Sequence, residues 1–172
     1  MSIAQSLLAE FEAQAPLTRR FLERLPEDKL TWKPHPKSLT GGQLAYHLAD
    51  TPAGVLRLSL ESVTKANGPS FPQPESLSEV LAKFDESVST VRELLPTLDD
   101  AAMAELWRLE VAGHEVMAVP RAAFLRDIMF NHWYQHRGQL CVYLRLLDVA
   151  VPATFGPSAD ELPAFVRELQ PA

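Results

Sequence analysis

Two imidazoles stand four residues apart in the segment Asn131-His132-Trp133-Tyr134-Gln135-His136-Arg137-Gly138-Gln139-Leu140. In a helix, positions i and i+4 differ by about 40° around the axis and about 6 Å along it. Both rings can therefore reach one metal ion. With His132 at zero on the wheel, Leu125, Ile128, Met129, His136, Leu140, Tyr143 and Leu147 all fall within about 80° of it. This pattern puts the two histidines in the middle of the buried face. Polar rings in an apolar seam cost free energy unless they find partners, and a shared metal is one solution.

His47 is the natural third ligand. It lies on the apolar face of another expected helix, beside Leu44, Thr51, Val55 and Leu58. Three neutral imidazoles leave coordination positions open for water or substrate, as in catalytic sites. Imidazole suits zinc, nickel, iron or copper, and the spacing does not choose among them. Gln43, Asp50 and Gln139 share these faces and are candidates to hydrogen-bond the ligands. The alternative is a set of core histidines bonded to backbone carbonyls, Gln43 or Asp50. No glutamate follows His132, which argues against the H-E-x-x-H zinc proteases.

The remaining candidates are weaker. His35 stands between prolines and reads as a turn residue, and His114 reads as the solvated tip of a hairpin. Arg137 points about 140° from His132, which suits a salt bridge or helix contact. Cys141, the single cysteine, lies about 180° away and reads as an inert packing thiol. Trp107, Trp133 and Tyr46 read as packing residues. No nucleophile elbow, phosphate-binding glycine loop or carboxylate pair is recognisable.

The elements that must position the histidines are helical. Leu8, Phe11, Ala15, Thr18, Leu22 and Leu25 define a first helix over about 3–25, interrupted by Pro16. Thr40-Gly41-Gly42-Gln43 has capping-box spacing and opens a second helix over about 40–65, with Pro52 just over one turn beyond His47. Residues 66–74 form a loop. Ser76-Leu77-Ser78-Glu79 is a second capping box, followed by the apolar stripe Leu77, Val80, Leu81, Phe84, Val88, Val91 and Leu95. Between Leu106 and Val119 the period changes toward alternation, which predicts a short hairpin or extended excursion. Pro120 suits the first turn of a fourth long helix, about 120–148. A turn-rich tail from Val151 to Glu161 precedes a short last helix.

Four long amphipathic helices argue for an all-α four-helix bundle. The chain of 172 residues shows no repeat or domain-sized linker, so residues 1–172 are expected to form a single domain. A net charge of −6 and a pI near 5.3 argue against a nucleic-acid partner. One cysteine, no basic-then-apolar leader and no membrane-length apolar run point to the cytoplasm, with no membrane association.

Three stretches resemble the DinB family of DinB/YfiT-like metalloenzymes. They are Gly41-Gly42-Gln43-Leu44-Ala45-Tyr46-His47-Leu48-Ala49-Asp50, the run from Asn131 through Gln139 to Arg145, and Phe155-Gly156-Pro157-Ser158-Ala159-Asp160-Glu161. The Trp32-Lys33-Pro34 entry to the second helix extends the likeness. The resemblance implies an up-down-down-up four-helix bundle, often dimeric, with nickel or zinc held by His47, His132 and His136. Family members with known activities include thiol-dependent S-transferases and an isomerase that uses a low-molecular-weight thiol. The expectation is a metal-dependent thiol S-transferase or hydrolase acting on a small molecule, working as a homodimer. The alternative is a non-enzymatic stress-response metal-binding or scaffold bundle.

Overall fold

The computed structural model describes residues 1–66, 70–163 and 166. The short helix expected at the end of the chain falls on residues outside that range. The fold is mostly helical, with one small sheet. Helices α1 (Ile3–Glu23), α2 (Gly41–Ser59) and α3 (Leu77–Leu94) precede a short α4 (Asp100–Ala104). The last long helix begins with α5 (Arg121–Phe124), passes through a π-helical stretch (Leu125–Asn131) and ends as α6 (His132–Leu146). Helix α2 packs against α3 and α6, while α1 packs against α3 and α6.

The starts of these helices are legible chemistry. Ser2 and Gln5, then Thr40 and Gln43, form full capping boxes, each side chain satisfying an otherwise free N–H of the other's backbone. The expected box at Ser76 is only half made. Ser76 Oγ accepts from the Glu79 N–H, but the Glu79 carboxylate turns to the Glu75 N–H at 2.8 Å.

The second helix stops at Ser59, six residues before the expected end. Residues Val63–Ala66 form strand β1 instead, pairing in parallel with β2 (Leu106–Val111). Strand β2 pairs antiparallel with β3 (His114–Pro120). That hairpin fulfils the expected change of period. Its two loop residues, Ala112 and Gly113, have φ of 50° and 80°, as a type I′ turn requires. Two buried anchors terminate α2 and hold the sheet to it. The Trp107 indole donates to the Leu58 carbonyl at 3.1 Å, and Arg121 Nε donates to the Ser59 carbonyl at 2.6 Å. The Leu58 carbonyl also accepts from the Glu61 N–H at 3.3 Å, and carbonyls at a helix C-terminus have no α-helical donor, so a side-chain donor there is stabilising.

One hydrophobic core runs from Ala4 to Val151. Its position on the last helix departs from the expected face. Trp133, Arg137, Leu140 and Leu144 are buried, whereas His132 and His136 are half-buried. The buried face is thus centred about a quarter turn from the histidines, which sit at its margin rather than its middle. The π-helical stretch is one reason. Its wider turns break the 100° period just before His132, so a uniform wheel misplaces the residues on its two sides.

Candidate metal centre

The three histidines meet. One ring nitrogen from each of His47, His132 and His136 lies within 4.8 Å of the other two. The ring centroids are 5.3 Å apart for His47 and His132, 4.7 Å for His47 and His136, and 4.3 Å for His132 and His136. His132 Nε2 and His136 Nε2 approach to 2.7 Å.

A local device couples the two helices that carry these rings. Pro52 lies inside α2 and has no N–H, so the Leu48 carbonyl four residues earlier lacks its helical donor. The Trp133 indole Nε1 supplies the missing bond at 2.9 Å. Trp133 follows His132 directly and is 1% exposed. The proline therefore creates, one residue after His47, the acceptor that clamps α6 onto α2. On α2 itself, the Thr51 hydroxyl donates to the His47 carbonyl at 2.6 Å. Phe71 packs edge-on against the His47 ring at 5.2 Å between centroids.

Of the three expected polar supports, one touches a histidine of the cluster. Gln139 Oε1 lies 2.7 Å from His136 Nδ1. Gln43 is taken up by its capping box and by the Phe71 carbonyl, which it reaches from Nε2 at 3.1 Å. It acts on His47 only through Phe71. Asp50 makes no hydrogen bond to a histidine among the described residues; it lies instead near Gly54.

The proton positions in this cluster bear on whether the residues fit a metal. With Gln139 Oε1 as acceptor, His136 carries its proton on Nδ1 and aims the Nε2 lone pair at His132. His132 Nδ1 is buried without a hydrogen-bond partner, although the Ile128 carbonyl one turn back favours a proton there. A proton on His132 Nε2 satisfies His136 but leaves Nδ1 as an orphaned lone pair facing that carbonyl. A proton on Nδ1 sets two Nε2 lone pairs against each other at 2.7 Å. A cation beside the two Nε2 atoms removes the conflict. Two nitrogens bound to one zinc at about 2.0–2.1 Å lie roughly 3.4 Å apart in tetrahedral geometry, a spacing between the 2.7 Å and 4.8 Å seen here. The donor set fits a borderline divalent ion.

Electrostatics favour neutral rings. Burial, and then the neighbouring His136 and His132, push the His47 pKa down to about 4. His132 is also lowered, first by burial and next by His136. Neither ring competes for a proton near neutrality, which leaves its lone pair available.

The site is open on one side. A cleft of about 420 Å³ reaches His136 and Gln139 and is lined also by Lys37, Ser38, Leu39, Leu44 and Tyr143. Tyr143 is fixed there by its hydroxyl bond to the Leu39 carbonyl at 3.1 Å and by edge contact with Trp32. The other histidines stand apart, as expected: His35 is exposed and accepts from the Lys37 N–H, and His114 is exposed at the hairpin. Trp133 does pack in the core, but its role as the helix clamp was hidden in sequence. The signal was present in Pro52, whose missing N–H leaves an acceptor to be satisfied.

A mainly helical chain with a half-buried three-histidine cluster beside a cleft defines the class. The family model of the DinB superfamily matches residues 10–140, and the chain belongs to that superfamily. It is 25% identical over 160 residues to the uncharacterized protein YrdA of Bacillus subtilis, covering 92% of this chain and 90% of that protein. A DinB-like protein of Bacillus cereus superposes with a TM-score of 0.70 at 19% identity, covering 88% of this chain and 97% of that one. The DinB-like protein YjoA of Bacillus subtilis gives 0.63 at 17% identity, covering 86% and 96%. These likenesses establish the fold. Among the described residues, no helix is long and apolar enough to cross a membrane.

Proposed function

We propose that His47, His132 and His136 hold a divalent ion, nickel or zinc, and that the protein is a metal-dependent thiol S-transferase or hydrolase. The observation that carries this reading is the convergence of three ring nitrogens beside a cleft, with the His132 and His136 Nε2 atoms 2.7 Å apart. A bound ion supplies Lewis acidity, lowering the pKa of a thiol or water that reaches it so that a nucleophile exists near neutral pH. Gln139 orients His136 by accepting its Nδ1 proton. Trp133 holds His132 opposite His47 through the Leu48 carbonyl. Leu39, Leu44 and Tyr143 give the cleft an apolar wall, and Lys37 stands at it as a cation suited to an anionic part of a small substrate.

The same reading takes residues 1–172 as one domain, with the long helices forming an up-down-down-up four-helix bundle. It places a homodimer in the cytoplasm, acting on a small molecule with a low-molecular-weight thiol as co-substrate.

Elemental analysis of protein purified without a metal-affinity column, followed by thiol and electrophile panels with added zinc or nickel, tests the proposal. The expected result is about one equivalent of metal per chain, lost in His132→Ala, and turnover that depends on it. A full equivalent of tightly held metal in His132→Ala would refute the ligand set. Metal binding without turnover of any thiol or electrophile would instead favour a non-enzymatic metal-binding bundle.

A further inference from the structure

A larger cavity, about 520 Å³, lies on a different side of α6 from the histidines, between that helix and residues 151–159. Its walls include Phe21, Cys141, Val142, Leu146 and Phe155, with two charged side chains among them, Arg137 and Arg145. Arg137 is 3% exposed. Its Nη1 donates to Thr18 Oγ1 at 3.2 Å and its Nη2 to Gln14 Oε1 at 2.9 Å, both neutral acceptors. The guanidinium carbon lies 5.1 Å from the ring centroids of both Tyr134 and Phe155.

No carboxylate pairs with Arg137 among the described residues. The neighbouring cations are already matched, Arg145 with Asp160 and Arg20 with Glu161. A guanidinium presents five N–H donors in a planar fork, and Gln14 and Thr18 use only part of it. A buried cation with no counter-ion among the described residues is costly, and an anion bound from outside offsets that cost. The Arg137 charge, unpaired by any carboxylate among the described residues, matches one negative charge, and the walls around it are mostly apolar. The volume falls within the range of small-molecule sites.

We infer that this cavity binds a small monocarboxylate with an apolar body, its carboxylate paired with the Arg137 fork and its tail against Val142, Leu146 and Phe155. A planar carboxylate meets a guanidinium through two parallel hydrogen bonds, which a neutral alcohol of the same length cannot do. The site is independent of the metal centre, since Arg137 projects about 140° around the helix from His132.

Calorimetric titration of the full chain with octanoate and with 1-octanol, in the presence and absence of EDTA, tests the inference. Octanoate should bind one equivalent per chain, at least about tenfold more tightly than octanol, as expected for hydrogen bonds to a charged group. EDTA should leave this unchanged. Arg137→Gln should weaken octanoate by about tenfold or more and erase the preference for the acid. Gly138→Leu should weaken both probes, because the Cβ of residue 138 meets open space at the cavity wall and the leucine fills it. If Arg137→Gln does not fold, as judged by near-ultraviolet circular dichroism, Gly138→Leu carries the test. The inference is overturned by equal affinity for acid and alcohol, by octanoate binding that EDTA abolishes, by an acid preference that survives Arg137→Gln, by octanoate binding undiminished in Gly138→Leu, or by no saturable binding up to about 10 mM.

Discussion

Replacing Trp133 by phenylalanine removes the indole N–H that satisfies the Leu48 carbonyl. Leu48 is fully buried, and stranding a buried acceptor costs about 1–3 kcal/mol. The smaller ring adds a cavity beside Phe11, which stacks on Trp133 at 5.5 Å, for a total of about 2–4 kcal/mol. The carbonyl is free only because Pro52 has no N–H. Pro52→Ala supplies a helical donor four residues on, so Trp133→Phe should cost about 1–2 kcal/mol less in that background. Urea denaturation of the wild type, both single variants and the double variant at pH 7 measures the coupling. Zinc affinity, from competition with a chromophoric chelator, should behave differently. It should fall about tenfold in Trp133→Phe, as for loss of a residue supporting a ligand, and stay low in the double variant, because the tether between α2 and α6 is gone either way. Costs that add to within about 0.5 kcal/mol would refute the proline-to-tryptophan linkage.

The metal-free protein should lose stability in mild acid. Below pH 6.5 an unfolded imidazole takes up a proton that folded His47 refuses until about pH 4, so stability is full above that window and declines as pH falls through it. The full difference corresponds to about 3 kcal/mol, and solvent screening at this half-exposed ring reduces it to about 1–2 kcal/mol. Denaturation at pH 7 and pH 4.5 with EDTA present measures the loss, which His47→Gln should shrink; an unchanged pH dependence in that variant would count against the assignment. Gln139→Leu should lower zinc affinity by about 10–100-fold while barely moving the melting temperature, since Gln139 is exposed and bonds His136. Unaltered zinc affinity there would mean that Gln139 does not orient the ring. Ala112→Gly should stabilise the hairpin by about 0.5–1 kcal/mol, because Ala112 holds a φ of 50°; a thermal melt with no gain would refute the strain.

Much of the site was written in local order. The i, i+4 spacing of His132 and His136 brings their rings together whatever surrounds them, since helix geometry alone sets that distance. The capping boxes at Ser2 and Thr40, the hairpin period and the residue type at 47 are equally local. The meeting of His47 with the other two was expected from the face it occupies, and from resemblance to the DinB family, rather than from any pairwise rule.

Other features depended on contacts between distant segments. Helix α2 ends at Ser59 because Trp107 and Arg121, about fifty and sixty residues later, take its last carbonyls, and no propensity near residue 60 records their arrival. The histidines lie at the margin of the core because a π-helical stretch precedes them and breaks the wheel used to place them. Arg137 is buried beside neutral Gln14 and Thr18, which a wheel drawn on one helix cannot foresee. Sequence alone determined which residues could ligate and the elements that carry them, because periodicity and capping act within a few residues. Tertiary structure alone decided which side of each helix is buried and which buried donors and charges find partners, because those outcomes belong to pairs of surfaces rather than to either one.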